Sequence, residues 1–165
     1  MNNSEPILVG EFVHSVDTKG RVAVPSPFRK KLNLGPGDKL VLSRGLDQCV
    51  QAYTETGWSA HVDKLLAGQP LYDAESIRLK RRFLPQACEV ELDNQGRVLL
   101  PRNLKDVSGI KDAAVIIGVG GFFELWEPGR YRQYSSDADA TFDQDLIGLN
   151  RRQARGDIPS AGDGR

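Results

Sequence analysis

At 165 residues the chain is long enough for one compact domain, or for two small ones sharing a core. Its 22 basic and 22 acidic residues cancel, so any interface for nucleic acid has to come from how charge is distributed, not from its sum. Two cysteines, Cys49 and Cys88, stand outside any metal-ligand spacing and exclude a disulfide framework; both are expected to be small buried apolar side chains.

The first six residues are polar and acidic, without a basic segment leading into an apolar one, and no apolar run reaches the ~20 residues of a membrane span. A cytoplasmic protein is the expectation. Residues 7–16 then alternate loosely (Leu8, Val9, Phe12, Val13, Val16) as a strand entering a hairpin. The hairpin follows at once. Asp17-Thr18-Lys19-Gly20-Arg21 reads as a turn in which the Asp17 carboxylate can accept backbone N–H groups and Gly20 supplies a left-handed residue. Val22-Ala23-Val24 is the return strand, stopped by Pro25, and Pro27 opens a short helix with Phe28, Leu32 and Leu34 on its apolar side. Arg29, Lys30 and Lys31 crowd the other side. Residues 17–31 thus carry five basic side chains against one acid.

Two further strands, residues 39–43 and 49–53, flank Arg44-Gly45-Leu46-Asp47-Gln48. A helix with Trp58, Val62, Leu65 and Leu66 at helical spacing follows, and Gly68-Gln69-Pro70 ends it. Asp73 can cap another helix running to Phe83, whose Arg78, Lys80, Arg81 and Arg82 form a basic run. That run suits either a second phosphate-facing patch or a face packed against a neighbouring subunit's acids.

The cassette then returns. Leu92-Asp93-Asn94-Gln95-Gly96-Arg97-Val98-Leu99-Leu100-Pro101 repeats residues 16–25, with Asp, Gly, Arg and Pro each displaced by 76 positions. Residues 102–107 repeat the short helix with fewer charges, Arg102 and Lys105. Residues 114–119 are nearly continuous in apolar side chains, as in a strand covered on both faces. Gly118, Gly120 and Gly121 join two strands instead of opening a helix, so they are turn glycines and not a phosphate loop. The unit of strand, hairpin, strand, short helix, strand, turn, strand and helix occurs twice. Two halves too small to be stable alone are expected to interleave. The boundaries read 7–58 for the first repeat, 59–86 for connecting helices, 87–134 for the second repeat and 135–165 for a polar tail, disordered towards its end beyond about Leu149. The basic helix near Arg78 has no visible counterpart at the end of the second repeat.

No nucleophile stands beside a base, and His14 and His61 are isolated, so no enzyme, metal or cofactor is expected. Each hairpin instead places an Arg at its root, Arg21 and Arg97. A guanidinium can fork onto phosphate or onto guanine O6 and N7. A non-enzymatic scaffold meeting an acidic partner with the same basic face is the competing reading.

The paired Asp-x-x-x-Arg cassettes, with Gly10-Glu11-Phe12, Arg44-Gly45-Leu46-Asp47, Arg82-Phe83-Leu84 and Glu124-Leu125-Trp126, resemble the MraZ family over residues 8–134. The resemblance implies a mainly β, α+β fold of the SpoVT-AbrB type, a swapped-hairpin β-barrel built from two tandem repeats. It also implies a bacterial transcriptional regulator, associated with the nucleoid, that assembles as a ring-shaped homo-oligomer. Such a ring binds double-stranded DNA at direct repeats upstream of the division and cell-wall gene cluster, with no membrane and no small-molecule substrate involved. Arg21 and Arg97 correspond to the family's DNA-contacting residues. With them go Lys19, Arg29, Lys30 and Arg102 as basic neighbours, while Asp17, Gly20, Asp93 and Gly96 shape the turns. Because Lys19 is matched by Gln95, the two halves are expected to contact DNA unequally.

Overall fold

The computed structural model describes residues 6–70 and 72–157. The chain divides into two compact units, Met1–Pro128 and Gly129–Arg165. In the first, the order is β1 (Glu11–Ser15), β2 (Arg21–Ala23), α1 (Ser26–Lys31), β3 (Lys39–Arg44), β4 (Val50–Thr54), α2 (Glu55–Leu66), α3 (Ala74–Phe83), β5 (Cys88–Glu91), β6 (Arg97–Leu99), α4 (Arg102–Ser108), β7 (Ala113–Gly118) and β8 (Phe123–Trp126). The fold is α+β with antiparallel sheets. Thr54 and Asp73 cap α2 and α3, accepting from Gly57 N at 3.0 Å and Ser76 N at 3.0 Å.

The repeats exchange strands reciprocally. β1 of the first repeat pairs with β7 of the second, and β5 of the second pairs with β3 of the first. β4 and β8 join the halves into a six-stranded sheet of order β1-β7-β8-β4-β3-β5. Equivalent residues of the two repeats therefore lie in one core: Val16 with Leu92, Val22 with Val98, Val24 with Leu100, and Phe28 with Leu104 are all buried. Phe28 is wedged between Phe12 and Phe123, with ring centroids 5.3 Å away on either side. A core assembled from both halves cannot form from either one.

The expected closed barrel is not formed by hydrogen bonds. The six-stranded ladder ends at β1 and β5, and β2 and β6 leave it to pair with each other as a separate two-stranded ribbon. Their length explains this. Each is three residues long and lies between a tight turn and a proline, Pro25 or Pro101, too short to continue a neighbour's ladder around a corner. Among the described residues an isolated bridge, Val16 to Val22, links the end of the segment after β1 to the ribbon.

The second unit holds α5 (Pro128–Asp139) and α6 (Phe142–Ala154). Here the sequence reading needs correction: the segment from Asn150, expected to lack structure, remains helical to Ala154. α6 also follows α5 as α3 follows α2, so the basic helix does have a counterpart. Residues 158–165, the rest of the expected disordered tail, lie outside the described residues. Cys49 is buried as expected, which raises its thiol pKa, whereas Cys88 is only half-buried. No helix among the described residues is long and apolar enough to cross a membrane.

Candidate nucleic-acid interface

The β2–β6 ribbon has two unlike faces because side chains alternate along a strand. Val22 lies opposite Val98, and both point into the core. Arg21 lies opposite Leu99, and Ala23 opposite Arg97. Both arginines therefore share the outward face, diagonally placed, with the exposed Leu99 beside them.

Each hairpin root is built alike. Asp17 Oδ1 accepts the amides of Lys19 at 3.0 Å and Arg21 at 2.9 Å, while Asp93 Oδ1 accepts those of Gln95 at 2.8 Å and Arg97 at 2.9 Å. Gly20 and Gly96, at φ +84° and +73°, complete the turns in a conformation that favours glycine. The second carboxylate oxygen anchors the arginine. Arg21 Nε donates to Asp17 Oδ2 at 2.7 Å and Arg97 Nε to Asp93 Oδ2 at 2.9 Å. Arg97 also approaches Asp17 at 3.7 Å. Four charges thus form one compact group whose sum is zero. With Nε held and about a third of the Arg21 side chain exposed, the terminal amino groups are presented in a fixed direction.

The same geometry sets the carboxylates' acidity. The Arg21 amide, followed by the Arg21 side chain and Lys19 amide, holds Asp17 below its ordinary 3.8, and the Arg97 amide does the same for Asp93. A folded-state pKa below the unfolded one gives stabilisation that is complete above about 3.8 and disappears as pH falls through the lowered value. Carboxyl NMR titration of Asp17 and Asp93 is expected to give midpoints below 3.8; midpoints at or above it would mean that the amide contacts are not held in solution.

Strand exchange redistributes the flanking charge in a way that linear reading misses. Val24 N donates to Gly96 O and Leu100 N to Gly20 O, each at 2.9 Å. Consequently α1 of the first repeat lies over the second hairpin and α4 of the second lies over the first. A Cβ on Gly96 would fall 2.6 Å from Arg29 Cζ, and one on Gly20 would fall 3.6 Å from Lys105 Nζ. Arg29 also donates to Val24 O at 3.1 Å. Lys105, left out of the sequence-derived site, is therefore the partner of Arg29 by repeat; the shared displacement of 76 positions was the available signal. The exposed Lys30 travels with Arg29, and the exposed Arg102 with Lys105. The exposed Lys19 belongs to the first hairpin alone. The local surplus counted along residues 17–31 is thus split between the two ends of the ribbon, which evens the asymmetry inferred from Lys19 and Gln95. Among the described residues, no group of three or more His, Cys, Asp or Glu side chains is placed to hold a metal.

A family described as "MraZ protein, putative antitoxin-like" matches residues 7–82 and again 83–148. The chain belongs to the MraZ family. The two matches fall on the two copies of the hairpin cassette, and the second extends into α6. A protein of Limosilactobacillus fermentum named "Transcriptional regulator MraZ" is 38% identical over 144 residues, covering 87% of this chain and 97% of that one. One of Acetivibrio thermocellus with the same name is 41% identical, covering 78% and 86%, and one of Alkaliphilus metalliredigens is 37% identical, covering 84% and 93%. MraZ membership puts the chain in the class of transcriptional regulators.

Proposed function

We propose that the chain regulates transcription by laying its β2–β6 ribbon against promoter DNA, with Arg21 and Arg97 reading base edges and the flanking lysines and arginines holding phosphates. The observation that carries this is the shared outward face of two arginines, each fixed at Nε by a carboxylate. A B-DNA major groove admits a two-stranded ribbon. Division of labour follows from charge. Asp17 and Asp93 offset the two guanidinium charges, which weakens their pull on phosphate but leaves their N–H donors available to guanine O6 and N7. Lys19, Lys30, Arg102 and Lys105, with Arg29, supply the net positive charge.

The repeats 7–58 and 87–134, joined by the helices of 59–86, give one ribbon per chain in a swapped-hairpin architecture of the SpoVT-AbrB type. One ribbon neutralises few phosphates and grips weakly. A ring-shaped homo-oligomer multiplies that grip by effective concentration and selects direct repeats whose spacing matches its own. Those upstream of the division and cell-wall gene cluster are the sites proposed, bound in the cytoplasm at the nucleoid.

Fluorescence anisotropy with DNA from upstream of the protein's own gene, across a salt series, tests the reading. Binding is expected to weaken linearly in log salt, and Lys30→Ala to reduce the slope by about 0.9 for each phosphate contact removed, on any DNA sequence. No binding at low salt would reject the DNA reading and favour the scaffold.

A further inference from the structure

Two motifs of the family resemblance, Arg44-Gly45-Leu46-Asp47 and Arg82-Phe83-Leu84, play no part in the ribbon, yet they converge. Arg44, Gly45, Leu46, Arg82 and Phe83 of these motifs, with Leu65 and Leu79, line a cleft of about 440 Å³ between α2, α3 and the β3–β4 turn. Its walls are mainly apolar, with Arg44 and Arg82 among them. The turn is strained: Asp47 and Gln48, neither of them glycine, take φ of +55° and +64°. Its effect is to hold Leu46 out at the rim, 81% exposed. A small ligand filling the cleft would leave that side chain in water, whereas a broad apolar surface laid across the cleft would cover it.

The chain carries such a surface. On α6, Phe142, Leu146 and Leu149 fall on one stripe at helical spacing, and all three are exposed. Charge matches as well. The first turn of α6 bears Asp143 and Asp145, while α3 bears Arg78, Lys80, Arg81 and Arg82. We propose that α6 of one copy docks in the α2–α3 cleft of the next, its apolar stripe over Leu46, Leu79 and Phe83 and its aspartates against the basic run. This rests on the homo-oligomer proposed above and names the surfaces that build it. The joint is head-to-tail, since cleft and helix are different patches, and a head-to-tail joint closes into a ring when its rotation permits.

The full-length chain tests this by size-exclusion chromatography with light scattering. Leu146→Asp spoils the helix stripe and Leu79→Asp spoils the cleft, both at exposed positions; Leu46→Asp is the second cleft variant should Leu79→Asp lower the melting temperature. Each variant alone is expected to run as a monomer. An equimolar mixture of the two is expected to form dimers and nothing larger, because one intact cleft meets one intact helix and the remaining halves are both spoiled. Retention of the wild-type assembly by either variant, or monomers that fail to pair on mixing, would overturn the docking while leaving the ring standing. A wild-type chain that is monomeric at every concentration would overturn the ring reading itself, and the docking with it.

Discussion

Arg21→Ala is expected to lower affinity for operator DNA by 10- to 100-fold per engaged ribbon, at about 1–3 kcal/mol for each base contact, and avidity compounds the loss across a ring. Affinity for unrelated DNA should fall much less, by the modest amount that one lost positive charge removes, and the salt slope by less than a full phosphate contact. That combination is distinctive. A guanidinium acting as a phosphate contact would take about 0.9 off the slope and weaken all sequences alike, because in that case charge, not donor geometry, is what the substitution removes. Arg97→Ala is expected to match Arg21→Ala within a few-fold, since each hairpin is flanked by basic residues of the other repeat's helix. Asp17→Asn provides the complementary test. It keeps an acceptor for the Lys19 and Arg21 amides but loses the charged anchor on Arg21 Nε. Discrimination between operator and unrelated DNA should fall while non-specific binding rises with the lost negative charge. Were the Arg21–Asp17 pair purely structural, both substitutions would instead lower the melting temperature and leave discrimination alone.

What the sequence makes legible follows from the range of the interactions involved. The Asp-x-x-x-Arg hairpins are local: the carboxylate, the amides it accepts and the arginine it anchors lie within five residues, so Asp17, Gly20 and Arg21 could be assigned roles from spacing alone. The interleaving of halves was legible from repeat size. The helical partner of each hairpin was not, because α1 follows the first hairpin in the chain yet covers the second in space. Arg29 and Lys30 therefore serve the hairpin opposite to the one they follow in the chain, and Lys105 takes the matching place at the first. The ribbon's separation from the main sheet was equally hidden, since pairing of three-residue strands is decided by the turns and prolines around them and by Val22 meeting Val98 across the core. α6 escaped for a different reason. Its stripe holds only Phe142, Leu146 and Leu149 among polar residues and Gly148, too thin a contrast to set a helix apart from a polar tail.

The close approach at Gly118 carries the largest stability effect. The sequence reading gives Gly118, Gly120 and Gly121 one shared role in a turn, but the structure separates two of them. Gly120 takes φ of +84° and has open space where a Cβ would stand. Gly118 instead has the N-terminal segment lying across it: a Cβ would fall 2.5 Å from the Leu8 carbonyl carbon and 2.6 Å from Val9 N. Those are backbone atoms, which cannot swing aside as a side chain can. Moving them would break Leu8 N to Gly120 O at 2.7 Å and Gly118 N to Gly10 O at 2.9 Å, and would withdraw Leu8, 1% exposed, from the core. Loss of a buried leucine alone costs about 2–5 kcal/mol, a large part of the ~5–15 kcal/mol that holds a domain together. Gly118→Ala is therefore expected to lower the melting temperature by about 5–15 °C, and Gly120→Ala, which meets only backbone strain, by a fraction of that. Equal losses at the two positions in urea or thermal melts would show that residues 8–10 are not packed against Gly118, and would remove the steric account of why this position is glycine.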